Sequence, residues 1–117
     1  MIKNIGVDII ENERFADFID NEQKLKKILS DEEIKQLQAF TAISRKLEYI
    51  AGRFASKEAL RKAGLKFNYS EASILNREDG SPYLVYESEN EFMISISHNK
   101  TMTVAFVVMI EPCFANI

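Results

Sequence analysis

The hydrophobic period of this chain changes at Gly64, and that change limits the folds open to it. Before Gly64, apolar residues recur every three or four positions, as on the buried face of a helix; Leu47, Ile50 and Phe54 are the clearest run. After Gly64 the period is two. "ASIL", "YLVYE", "FMISIS" and "MTVAFVVMI" are strand-like, and "EDGSPY" and "HNKT" are turns. Short connections imply antiparallel neighbours. Helices first and strands later indicate an α+β class rather than a βαβ series. The expectation is a mainly antiparallel sheet with one long and several short helices.

Residues 2–10 have the apolar density of a further strand. Asn12 is expected to cap a short helix with Phe15, Phe18 and Ile19 on one face. "SDEE" at 30–33 has capping-box spacing, with Ser30 as N-cap, Glu33 three residues on, and Ile34 and Leu37 turned inward. Ser44 is expected to cap the longest helix, and Gly64 suits its left-handed stop. A chain of 117 residues, 46% apolar, is expected to be one domain over 1–117 with a real core.

A net charge of −3 argues against general nucleic-acid binding. No segment is apolar for long enough to cross a bilayer, and "MIKNIGVDII" is wrongly organised for a signal peptide, so a cytoplasmic protein without membrane contact is expected. Cys113 is the only cysteine. It cannot form an intramolecular disulfide, has no zinc-like spacing around it, and reads as an ordinary residue. Arg45, Lys46, Arg53, Lys57, Arg61, Lys62 and Lys66 fall in one short region. That run is either a solvated helix face or a phosphate site, and position alone does not choose.

Glu58 sits where the apolar stripe of the long helix should continue, with Lys62 one turn further on the same face. Taken alone, the commoner explanation is an i, i+4 pair at the edge of the core, worth ~0.3–0.5 kcal/mol when exposed. Asp8 interrupts "IGVDII", where alternation places Ile5, Val7 and Ile9 on one face and Gly6, Asp8 and Ile10 on the other. It too has a plainer explanation, as a strand-end residue capping the helix near Asn12. Together, two carboxylates that are each costly to bury unpaired point to a shared cation. Two protein oxygens with several open positions suit Mg²⁺, which takes further ligands from water and phosphates. Lys62 would act as a point charge there and arginines as planar forks. His98, the only histidine, ends "SISH" on the strand face of Ile94 and Ile96. A lone histidine there is more often structural, and a Ser–His pair without an acidic third member is weak evidence for a hydrolase. There is no GxSxG, GxGxxG or P-loop.

Four stretches, "GVDIIENERF", "AGRFASKEALRKAG", "DGSPYL" and "SISHNK", stand in this order before a final apolar strand. From Ile5 to about Val108 the chain resembles the holo-[acyl-carrier-protein] synthase family, the small bacterial 4′-phosphopantetheinyl transferases of fatty-acid synthesis. The resemblance implies a 4′-phosphopantetheinyl transferase-like fold. The implied reaction is Mg²⁺-dependent transfer of the 4′-phosphopantetheine of coenzyme A to a serine of apo acyl carrier protein, releasing adenosine 3′,5′-bisphosphate. It implies Asp8 and Glu58 as metal ligands and Lys62 at the pyrophosphate, these three forming the catalytic set. Arg45, Arg53, Gly80, Pro82, Ser97 and His98 are implied around coenzyme A, and Arg14 against the acidic carrier protein. Lys24, with Lys26 and Lys27, would extend the basic patch that such a partner needs. A homotrimer with sites between subunits is also implied. The chain departs from the family pattern after Gly64, where "GLKFNYSEAS" is compact, and at Asn12, Asn99 and Met102. Two further readings compete: a non-catalytic trimer that binds coenzyme A or a carrier protein, and a Mg²⁺-dependent nucleotide phosphohydrolase.

Overall fold

The computed structural model describes residues 1–112; Cys113 lies outside them. Strand β1 (Ile2–Glu11) leads through a 3₁₀ turn (Asn12–Phe18) to helices α1 (Glu22–Ile28), α2 (Asp31–Leu37) and α3 (Ile43–Lys62). A second 3₁₀ turn (Tyr69–Glu71) precedes β2 (Ser73–Asn76), β3 (Pro82–Val85), β4 (Glu91–His98) and β5 (Met102–Ile110). The class is α+β, as the change of period implies. Strands β2 and β3 form an antiparallel hairpin, and the other three form an antiparallel sheet in the order β1-β5-β4. No helix of the described residues is long and apolar enough to cross a membrane.

Helix α3 lies across one face of the three-stranded sheet, over Thr103, Ala105 and Val107 of β5, all fully buried. The approach depends on Gly6. A Cβ there would lie 1.9 Å from the carbonyl oxygen of Ala59, so only glycine lets β1 and α3 meet. The alternation expected in β1 is present, with Gly6 and Ile10 buried and Asp8 partly so, all towards α3. The more apolar set, Ile5, Val7 and Ile9, faces outward and is 51–64% exposed. Met93 of β4 and Phe106 of β5 are exposed in the same way. The sheet therefore has one face packed and one apolar face open.

Helix termini follow the sequence in two places. Ser30 accepts from the Glu33 amide and the Glu33 carboxylate accepts from the Ser30 amide, completing the capping box of α2. Gly64, at φ 113°, ends α3. Two caps differ from expectation. Asn12 caps nothing: it is buried, donates to the Asn99 carbonyl at 3.0 Å and accepts from the Thr103 hydroxyl at 2.6 Å. These contacts tie the start of the 3₁₀ turn to the β4–β5 connection, so satisfying a buried polar network outweighs capping. Ser44 does not cap α3 either. The helix starts at Ile43, two residues earlier than a Ser44 cap would place it, after extended Ala42, whose carbonyl accepts from the Lys46 amide at 3.1 Å.

The third correction concerns the basic run. Lys57 lies neither on a solvated face nor in a phosphate site; it is fully buried. Its ammonium donates to Glu33 at 2.5 Å, to the Ile28 carbonyl at 2.9 Å and to the Tyr69 carbonyl at 2.7 Å. Glu33, also fully buried, accepts in addition from the Ile74 amide at 2.7 Å. This one pair joins α2, α3, the second 3₁₀ turn and β2. Burial lowers the pKa of Lys57, and the charge of Glu33 opposes that shift.

Candidate active site

The carboxylates singled out in the sequence occupy facing elements, Asp8 on β1 and Glu58 on the last turns of α3. Lys62, one turn beyond Glu58, does not pair with it. Its ammonium reaches across to Asp8 Oδ1 and to the Val7 carbonyl, each at 3.1 Å. Lys62 remains half exposed, with 56% of its side chain open to solvent against 16% for Asp8. Glu58 is half-buried, and its Oε2 accepts from the Tyr69 hydroxyl. Among the described residues no basic side chain pairs with Glu58. A half-buried carboxylate without a counter-charge is the arrangement that a cation from outside the chain would complete.

A second group of residues forms a cleft of about 190 Å³ beside the first half of α3. Arg45, Arg53, Gly80, Pro82 and His98 all line it, so five positions chosen from the sequence meet in one cavity. Arg53 is buried. Its Nε donates to the Ile74 carbonyl and its Nη2 to Asn76 Oδ1, both at 3.0 Å, and its guanidinium lies 4.1 Å from the centre of the Tyr49 ring. Burial lowers the Arg53 pKa, and it raises that of the Tyr49 phenol. Glu48 links two further side chains of the cleft, with one oxygen 3.2 Å from His98 Nδ1 and the other 3.6 Å from Arg45 Nη1. The β2–β3 turn that brings Gly80 and Pro82 here is held by Asp79, which accepts from the Ser81 amide at 2.9 Å and hydroxyl at 2.6 Å. Those bonds keep the Asp79 carboxyl below its usual range. Gly80 takes φ 88°, a value glycine accommodates without strain.

Ser97 is not in this cleft. It alternates with Ile96 and His98 and lies exposed on the open face of the sheet. Arg14 and Lys24 occupy a third region, on the first 3₁₀ turn and α1. The Arg14 guanidinium sits 5.3 Å from the centre of the Phe54 ring and Lys24 Nζ sits 5.5 Å from that of Phe18. Lys24 has a weak contact to Asp17 at 3.9 Å.

Sequence reasoning missed Glu48, Tyr49, Asn76 and Tyr69. The first two had a signal, because Glu48 stands three residues after Arg45 and Tyr49 four before Arg53 on one helix. Asn76 and Tyr69 had none, since each arrives from the segment beyond Gly64.

Among the described residues, no group of three or more His, Cys, Asp or Glu side chains is gathered as a metal site. Asp8 and Glu58 supply two hard carboxylates, a set that suits Mg²⁺ completed by water and phosphate oxygens rather than a metal caged by protein alone.

The family model of the 4′-phosphopantetheinyl transferase superfamily matches residues 4–108. The holo-[acyl-carrier-protein] synthase of Oceanobacillus iheyensis is 42% identical over 116 residues, covering 93% of this chain and 97% of that protein. The enzyme of the same name from Petrotoga mobilis is 39% identical over 122 residues, covering 95% and 98%. Among solved structures, the holo-(acyl-carrier-protein) synthase of Bacillus anthracis in complex with CoA (3′,5′-ADP) matches with a TM-score of 0.86 at 33% identity. That match covers 96% of this chain and 99% of the other.

Proposed function

The chain belongs to the 4′-phosphopantetheinyl transferase superfamily, and from that premise we propose that it is a holo-[acyl-carrier-protein] synthase. It moves the 4′-phosphopantetheine group of coenzyme A to a serine of apo acyl carrier protein and releases adenosine 3′,5′-bisphosphate. The observation that carries the reading is the set Asp8, Glu58 and Lys62, with Lys62 held on Asp8 at 3.1 Å and Glu58 without a basic partner among the described residues.

Asp8 and Glu58 would hold Mg²⁺. The chemistry supplied by the bound ion is neutralisation of charge on the pyrophosphate. The half-exposed ammonium of Lys62 can exchange Asp8 for a phosphate oxygen, where it offsets charge developing on the leaving bisphosphate. One of the two carboxylates, directly or through a water, takes the proton of the attacking serine. The serine oxygen then bonds to the phosphorus of the phosphopantetheine, and the bond from that phosphorus to the bridging pyrophosphate oxygen breaks. Arg45, Arg53 and His98 make the cleft beside Gly80 and Pro82 suited to the remaining phosphate and the nucleoside.

The carrier protein docks on Arg14 and Lys24, whose charges face an acidic partner despite the net −3 of the chain. The open apolar face of the sheet, with Val7, Ile9, Met93 and Phe106 each 42–64% exposed, supports assembly into a homotrimer with sites between subunits. The reading places the protein in the cytoplasm with both substrates.

The test is chromatographic detection of adenosine 3′,5′-bisphosphate from coenzyme A. Release is expected only when apo acyl carrier protein and Mg²⁺ are both present. Release without the carrier protein would overturn the transferase reading in favour of a phosphohydrolase.

A further inference from the structure

We infer that Tyr69 is a positioning residue, which fixes the carboxylate of Glu58 in the orientation that receives the metal ion. The inference rests on the reading of Glu58 as a metal ligand.

Tyr69 is gripped at both ends by consecutive residues of α3. Its carbonyl accepts from Lys57 Nζ at 2.7 Å, and its hydroxyl donates to Glu58 Oε2. Lys57 is itself immobilised, being fully buried and bound to Glu33 and to the Ile28 carbonyl. The Tyr69 ring is fixed from the sides as well. It stacks on Phe67 with 5.3 Å between ring centres and meets the edge of Phe54 at 5.8 Å. The hydroxyl is thus held in place by neighbours that do not depend on Glu58.

The consequence falls on the carboxylate. With Oε2 occupied by the phenol, Oε1 is the oxygen left to accept another partner, and among the described residues none bonds to it. Lys62, which would otherwise compete one turn away, is turned to Asp8. A glutamate has three rotatable bonds and loses much rotamer freedom when it is fixed. Tyr69 has fixed it before the ion arrives. Partners that orient a metal ligand in this way typically change affinity 10–100-fold when removed.

The experiment measures Mn²⁺ binding by electron paramagnetic resonance, with coenzyme A present and no carrier protein, so that no turnover occurs. Tyr69→Phe keeps the ring against Phe54 and Phe67 and removes only the hydroxyl, so its melting temperature is expected to stay within a few degrees of the parent. The expected result is a Mn²⁺ dissociation constant raised about tenfold or more. A folded Tyr69→Phe protein that binds Mn²⁺ as the parent does would overturn the inference. Glu58→Gln, measured in parallel, separates the two levels of the argument. Weak binding by Glu58→Gln beside normal binding by Tyr69→Phe removes only the role of Tyr69. Normal binding by Glu58→Gln removes the ligand role of Glu58, and the inference with it.

Discussion

Lys62 holds Asp8 across the β1–α3 interface at 3.1 Å, although Glu58 stands one turn away on its own helix. The choice pairs one carboxylate and leaves the other, among the described residues, without a counter-charge. It also shows that the i, i+4 pair, the simplest explanation of Glu58, is not formed. The lysine instead lies between strand and helix, bonded to Asp8 and to the Val7 carbonyl.

Two lysines five residues apart should give opposite phenotypes. Lys57→Met strands the buried charge of Glu33 and should cost about 3–5 kcal/mol of stability. Lys62→Met removes a half-exposed pair worth about 0–1 kcal/mol, yet should lower transfer by about a hundredfold or more. Denaturant titration and a transfer assay on both variants check this; a stable Lys57→Met or a fully active Lys62→Met would contradict it.

Gly6→Ala should damage fold and activity together. The added Cβ would lie 1.9 Å from the Ala59 carbonyl oxygen, on backbone that cannot swing aside. Overpacking of this kind costs about 1–3 kcal/mol. Relief by moving β1 away from α3 would carry Asp8, two residues on, away from Glu58 and Lys62. Thermal melts and transfer rates are expected to fall together.

Tyr49 supplies a dependence on high pH. Burial holds its phenol above the ordinary value of 10.0, against a smaller opposing pull from Arg53. The folded chain therefore keeps a proton that the unfolded chain gives up. The stability contributed by Tyr49 is fully present below pH 10.0 and is lost progressively as pH rises above it towards the folded value. Denaturation of the parent and of Tyr49→Phe at about pH 8 and about pH 11 should show the parent losing stability relative to the variant. An unchanged difference would mean that the phenol is not held neutral.

The basic patch should act on encounter with the carrier protein. Arg14→Ala and Lys24→Ala are each expected to raise KM for acyl carrier protein several-fold at low ionic strength, and less at about 0.5 M salt, with kcat little changed. Unchanged KM at low salt would remove these residues from the docking surface.

What was legible in the sequence was local. The period-two strands after Gly64, the Ser30–Glu33 capping box and the glycine stop of α3 each depend on residues within a few positions of one another. Asp8 and Glu58 stood out because a charge interrupts an apolar pattern, and no partner is needed to see that. Distant pairings were not legible. Asn12 looks like a cap until Thr103 arrives from β5 to bond it. Lys57 looks like one more surface cation until α2 folds back and brings Glu33 to it. Tyr69 carried no signal at all, because its contact with Glu58 depends on how the segment after Gly64 returns along the helix.

The most direct test of the central claim is the intact mass of apo acyl carrier protein after incubation with this protein, coenzyme A and Mg²⁺, with EDTA and Glu58→Gln controls. The account predicts a mass gain of one phosphopantetheine on the carrier, absent in EDTA and with Glu58→Gln. No gain under the complete conditions would contradict phosphopantetheine transfer, and a full gain with Glu58→Gln would contradict the site assigned to it.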